Sequence, residues 1–197
     1  MLSPNWDAPD LNELLRTNEC NGGDLTNADL SGKELYGCSL VNTNLTGANL
    51  SASTMNEAKL KGANLTGANL SGAALMGSNL SEANLTGANL TGANLSNALM
   101  DKVKLSEANL TEATLESAII TSANLSNAVA KKTNFHKSDL SGSDLSNSDF
   151  SNASLRNVQL SRANLQGAKF FEADLFRCRM PNNTTYNGDT SQFGASQ

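Results

Sequence analysis

Histidine is almost missing from this sequence of 197 residues, and His136 is the only one. Aromatic residues make up 5% and charged residues 17%, with three cysteines and three prolines. Each shortage excludes something. A single histidine among dispersed acids offers neither an acid–base pair nor a metal-ligand cluster. Cys20, Cys38 and Cys178 show no Cys-x-x-Cys spacing. No catalytic residue, metal or cofactor is therefore expected, and the chain does not read as an enzyme. The net charge of −5 argues against direct binding to nucleic acid or to an anionic membrane. No apolar run is long enough to span a bilayer, and Met1 to Asp7 has neither the basic region nor the apolar stretch of a signal peptide. With its cysteines read as reduced, the protein is expected to be cytoplasmic. A Cys20–Cys38 bond remains an alternative, since the two fall close in register, whereas Cys178 is too distant to pair with Cys38.

What the chain has in abundance is one short pattern. Residues 63–95 read ANLTG ANLSG AALMG SNLSE ANLTG ANLTG ANL. Taking the central Leu as position i, every fifth residue from Leu25 to Met180 falls in phase, giving 32 units, of which 24 centre on Leu. Position i−2 is Ala in 19 of them, so one large and one small apolar residue recur in each unit. A helix needs spacings of 3.6 and a strand spacings of 2, so a period of five belongs to neither. It marks a solenoid, in which stacked coils share a continuous core.

The unit Ala-Asn/Asp-Leu-Ser/Thr-Gly, as in Ala83 to Gly87, resembles the pentapeptide-repeat family, whose members are abundant in photosynthetic bacteria. The resemblance implies an all-β, right-handed, four-sided β-helix with i and i−2 inward, hence about eight coils of 20 residues. Three segments are expected: an N-terminal segment and capping helix over 1–19, the β-helix over 20–180, and a C-terminal tail over 181–197. At one strand spacing per coil the rod would be about 38 Å long.

The register of 20 can be tested on vertical neighbours. It places Leu25, Leu45, Leu65 and their successors to Leu165 in one column. It sets Phe150 over Ala130, the only small centre, and puts Glu82 beside Lys102 and Glu112 beside Lys132. Asn44, Asn64 and Asn84 at i−1 are expected to form amide ladders. The recurring Asn-Leu-Ser/Thr follows from the repeat and is read as stacking chemistry, although it matches the glycosylation sequon.

At the N-terminus, Asp10-Leu11-Asn12-Glu13 has the form of a capping box, and Leu11, Leu14 and Leu15 fall on one helical face. This predicts a plug helix from about Leu11 to Thr17, preceded by an irregular segment in which Trp6 covers an apolar edge. Lys33 at i−2 is expected to reach outward past the open end. At the other end, either a tail-to-tail homodimer or the tail from Pro181, laying Tyr186 or Phe193 over Phe171 and Phe176, closes the core. The tail is favoured, and with it a monomer.

The leading function is a non-catalytic structural or protein-interaction module with an unidentified protein partner. Leu99 and Ile119, outward where the repeat places Asn or Asp, and Phe171 and Phe176 near the end are its candidate contacts. Lys131, Lys132, His136 and Lys137 form a basic corner, read mainly as solvated surface. The resemblance supplies the alternative of a DNA mimic that binds the topoisomerase gyrase, against which stands the near-neutral stretch over 62–100. A third idea is that Thr26, Thr46, Thr66 and Thr86 form an outward ladder matched to ice or another regular surface.

Overall fold

The computed structural model describes residues 9–186. Parallel bridges join residues 20 apart without a break, from Glu19 with Ser39 to Gln159 with Arg179. The register is therefore four pentapeptides per coil throughout. One face carries the Leu25 column and is called face 1; faces 2, 3 and 4 follow, carrying the columns of Leu30, Leu35 and Leu40.

The corner between faces is a four-residue turn with a fixed form. The N–H of nearly every i−2 residue bonds the carbonyl of the preceding i residue, as Ala28 does to Leu25 at 3.0 Å. The second central residue has positive φ, 65° at Gly87 for example, while the first does not. Those are the marks of a type II turn, which calls for Gly or Asn at that position. Lys102, Glu112 and Arg177 occupy it with φ of 55–60°. There the stacked coils hold the chain in a conformation that their side chains do not favour.

Between corners, each unit is tied vertically. Leu65 N–H donates to Asn84 O at 2.7 Å, Asn64 N–H to Thr43 O at 2.9 Å, and Gly67 N–H to Thr66's counterpart, Thr86 O, at 3.0 Å. Inside, the Leu columns and their i−2 partners are buried from Leu25 to Met180, apart from Ala28 and Lys33 in the first coil and the partly exposed Phe170 and Ala173 in the last. The narrow prism admits one large side chain per face and coil, which is why i−2 is small. Ala130 and Phe150 are both fully buried one coil apart. The Phe150 ring stacks on Phe170 at 5.4 Å and meets Phe135 at 5.5 Å, so three rings fill the core beside the small centre.

The N-terminal plug is helix α1, Pro9–Thr17. It begins two residues earlier than expected, with Pro9 in the first turn, where its missing N–H costs nothing. Asp10 is therefore not the N-cap of a capping box. Its carboxylate instead accepts the Asp24 N–H at 2.6 Å, sealing the first coil. Gly23 is required beneath it, because a Cβ there would collide with the Cys20 thiol and press on the Asp10 carboxylate. Leu14 is buried and Leu11 packs on the core, but Leu15 is half exposed, so the apolar face is narrower than the sequence suggested. Asn18, at φ 62°, ends the helix; its N–H returns to Leu14 O and its amide donates to Tyr36 O. Lys33 is exposed, as expected.

At the C-terminus the tail folds back. Thr185 pairs antiparallel with Arg179, and Met180 N–H bonds Thr184 O at 2.7 Å. Tyr186 N–H bonds Cys178 O, and its side chain packs on the core cluster. Phe193 and Trp6 lie outside the described residues.

Candidate functional site

Asn or Asp at i−1 has a task that the ladder idea missed. Its side-chain oxygen accepts the N–H of residue i+1, as Asn64 does from Thr66 at 3.2 Å and Asp144 from Ser146 at 3.0 Å. This Asx turn holds the first corner residue. The amides also connect coils, differently on two faces. On face 2, Asn89 donates to Asn69 and Asn69 to Asn49, a true amide ladder at 3.2–3.3 Å. On face 1 the link runs through threonine: Asn84 Nδ2 donates to Thr66 Oγ1, which donates to Asn64 Oδ1, and so down to Thr26 and Asp24. All donors in this relay point toward Asp24. The hydroxyl and N–H of Thr26, with Asn44, hold that carboxyl below its ordinary pKa. Because the threonine hydroxyls are engaged sideways in this relay, they are not a free row facing a lattice.

Against this background Leu99 and Ile119 stand out. They bridge each other in adjacent coils of face 4, and each is 44% exposed. Neither offers an acceptor to the N–H of Asp101 or Thr121, so both forgo the Asx bond and bury little in return. Thr121 bonds the Asp101 carboxylate at 2.8 Å beside them.

Phe171 and Phe176 are 68% and 49% exposed on faces 2 and 3 of the last coil. Two guanidinium groups lie over the Phe176 ring, Arg156 at 4.7 Å and Arg177 at 5.0 Å from its centre. Arg156 is itself fixed by Asp174 at 2.8 Å. Nothing in the residue pattern signals this cluster, since its members are up to 21 residues apart. It also passed over Tyr36, which is exposed at the first coil in the same vertical column as Phe176. Tyr36 and Leu15 flank a shallow groove of about 350 Å³ between α1 and the first coil.

The basic corner is partly neutralised. Lys132 pairs with Glu112 at 3.3 Å, as the register predicts, and Lys131 with Asp149 at 3.2 Å. The expected Glu82–Lys102 pair is not formed. Glu82 turns to Lys61 at 3.5 Å and Lys102 to its neighbour Asp101 at 3.7 Å, because long corner side chains can reach either way. All three cysteines are free and buried, so Cys20 and Cys38 do not bond. Burial raises the Cys38 and Cys178 thiols to about 12, which leaves them inert. No metal-ligand cluster occurs among the described residues, nor any helix long and apolar enough to cross a membrane.

An unbroken stack of square coils, capped by α1 at one end and by the returning chain at the other, defines a repeat module of the solenoid class. The pentapeptide-repeat model matches eight copies over five overlapping stretches spanning residues 19–176, and the chain belongs to the pentapeptide-repeat family. Its fold is accordingly the right-handed quadrilateral β-helix. A trypsin-treated form of QnrB1, a plasmid-mediated fluoroquinolone resistance protein, superposes with a TM-score of 0.60 at 17% identity, over 79% of this chain and 88% of that one. HetL, involved in heterocyst differentiation regulation in the cyanobacterium Nostoc sp. strain PCC 7120, is 29% identical over 85% of this chain and 89% of its own, with a TM-score of 0.30. A thylakoid-lumen protein of Arabidopsis thaliana is 33% identical over 55% of this chain and 68% of its own, with a TM-score of 0.41. No curated protein sequence matches this one.

Proposed function

We propose that the protein is a rigid, non-catalytic interaction module that docks a protein partner through face 4, at Leu99 and Ile119. One observation carries the reading. At these two adjacent positions the chain gives up the Asx bond that Asn or Asp supplies at most other units of the regular repeat, and it does so for a vertical pair of apolar side chains that each remain 44% exposed. A departure that costs local hydrogen bonding and gains little core packing is a mark of surface function. The flat face, braced by a continuous core, offers the pair at a fixed spacing, so a partner loses little entropy in ordering it.

The test is Leu99→Asn with Ile119→Asn. The melting temperature should stay level or rise, since each Asn restores an acceptor for a turn N–H. Capture of partners from the source organism should be lost. Unchanged capture by the double variant would remove face 4 from consideration.

A DNA mimic bound by gyrase is the second reading, supported by the rod shape and the net charge of −5. Its weakness is the absence of an acidic row: Asp144 lies between Asn124 and Asn164, and Asp149 between Val129 and Lys169. A supercoiling assay showing neither inhibition nor protection of gyrase would dispose of it.

A further inference from the structure

We infer that the two ends of the rod form complementary surfaces and that the protein associates head to tail with a second copy of itself. Residues 9–36, comprising α1 and the first coil, hold six carboxylates against two cations. Residues 156–180, the last coil and its approach, hold five cations against two carboxylates. Between them, residues 37–155 hold nine carboxylates against seven cations, so the middle of the rod is close to balanced as a whole.

Each end also exposes apolar side chains among these charges. At the acidic end Leu15 and Tyr36 are 50% and 56% exposed, flanking the groove that Glu34 and Leu35 also line. Glu57, hydrogen-bonded to the Tyr36 hydroxyl, adds negative charge there and helps to raise the phenol pKa. At the basic end Phe171 is 68% exposed, and Phe176 carries the Arg156 and Arg177 guanidinium groups against its ring. Aromatic and arginine side chains of this kind are the usual anchors of protein interfaces. The groove of about 350 Å³ is large enough for one aromatic side chain. Tyr36 and Phe176 lie on one vertical edge of the prism, so coaxial stacking brings the two patches toward each other.

Charge decides between this arrangement and its rival. A tail-to-tail dimer would set five cations against five more, whereas head-to-tail contact pairs unlike ends. A heterologous contact of this type does not close, so growth should continue past a dimer. Each contact is small and must offset the entropy of association, so growth should appear only at high protein concentration and low salt. This inference is independent of the face 4 proposal, because neither end includes Leu99 or Ile119.

Sedimentation of the full chain tests it. At low ionic strength the average mass should climb with concentration beyond twice the 20.6 kDa of one chain, and about 1 M salt, with a Debye length of about 3 Å, should return it to monomer. Leu15→Ser with Glu34→Lys blocks one end, and Phe171→Ser with Arg177→Glu blocks the other. Each variant alone should stay monomeric, while their mixture should give a 1:1 complex and grow no further. That complementation also shows both variants to be folded. The milder Glu34→Gln and Arg177→Gln chains should shift growth to higher concentration even if a reversal proves unfolded. A wild type that is monomeric throughout, or one that stops at a dimer still formed by the Leu15→Ser, Glu34→Lys chain, would overturn the inference.

Discussion

The small inward residue at i−2 shows how far one hydroxyl can be tolerated in a closed prism. Ser143 is buried but satisfied, donating to Ile120 O at 2.7 Å and accepting from Ala123 N–H at 3.0 Å. Thr43 and Thr133 likewise reach carbonyls of the coil below, Cys20 O and Leu110 O. Ser78 and Ser138, both on face 4, are equally buried and have no partner for their hydroxyls. An unpaired buried hydroxyl costs about 1–3 kcal/mol, and Ala is the residue the repeat prefers there. Ser78→Ala and Ser138→Ala should therefore each stabilise the protein by about 1 kcal/mol, whereas Ser143→Ala should destabilise it by a similar amount. Urea denaturation of the three single variants checks this. The same sign for all three would show that burial alone, and not hydrogen bonding, sets the effect. Which serines find a carbonyl could not be read from the sequence. All three occupy the same repeat position, and only the local rotamer and the coil beneath distinguish them.

At the scale of a coil and its columns, the repeat was legible because its two inward positions are chemically distinct, and one unbroken phase fixes which residues face inward; the choice of 20 residues per coil over 15 rested on the vertical pairs, of which Glu112–Lys132 is formed. The amide ladders were only half legible. Asn44, Asn64 and Asn84 on face 1 are each followed by Thr at i+1, and Thr26, Thr46 and Thr66 each receive the amide of the coil above, whereas on face 2 Asn49 and Asn69 are followed by Ser and the amides pair directly. Thr66 shows the consequence: its hydroxyl links Asn84 above to Asn64 in its own turn. The Ser71 N–H uses Asn69, but its hydroxyl has no part in the ladder. Thr66→Val keeps the shape and strand preference but breaks the relay, and should cost about 1–2 kcal/mol by chemical denaturation. Ser71→Ala, at the equivalent corner of the next face, should be close to neutral. Equal losses at the two positions would mean that the relay carries no stability of its own. The arginine cluster at Phe176 was not legible for a different reason. It joins corners of consecutive coils, and corner side chains follow no repeat rule, as the exchange of partners by Glu82 and Lys102 also shows.

For the molecule as a whole the ends matter most, because a solenoid interior is self-propagating and only its closure is finite. The first coil is sealed by α1 and the Asp10–Asp24 bond, while the last is sealed by a strand of two or three residues. Without that strand, Met180 N–H and Cys178 O would lose their partners, and Tyr186 would no longer pack on the core. An open coil with unpaired edges is a template for another chain. A protein ending at Met180 should therefore melt at a lower temperature than the full chain. It should also associate through backbone pairing and apolar contact, neither of which salt weakens. Light scattering at about 1 M salt isolates this effect, since contacts between the charged ends are screened there. Under those conditions the full chain should be monomeric and the shortened one associated. If both remain monomeric with equal melts, residues 181–186 are not the cap, and the last coil must be stable with its edge open.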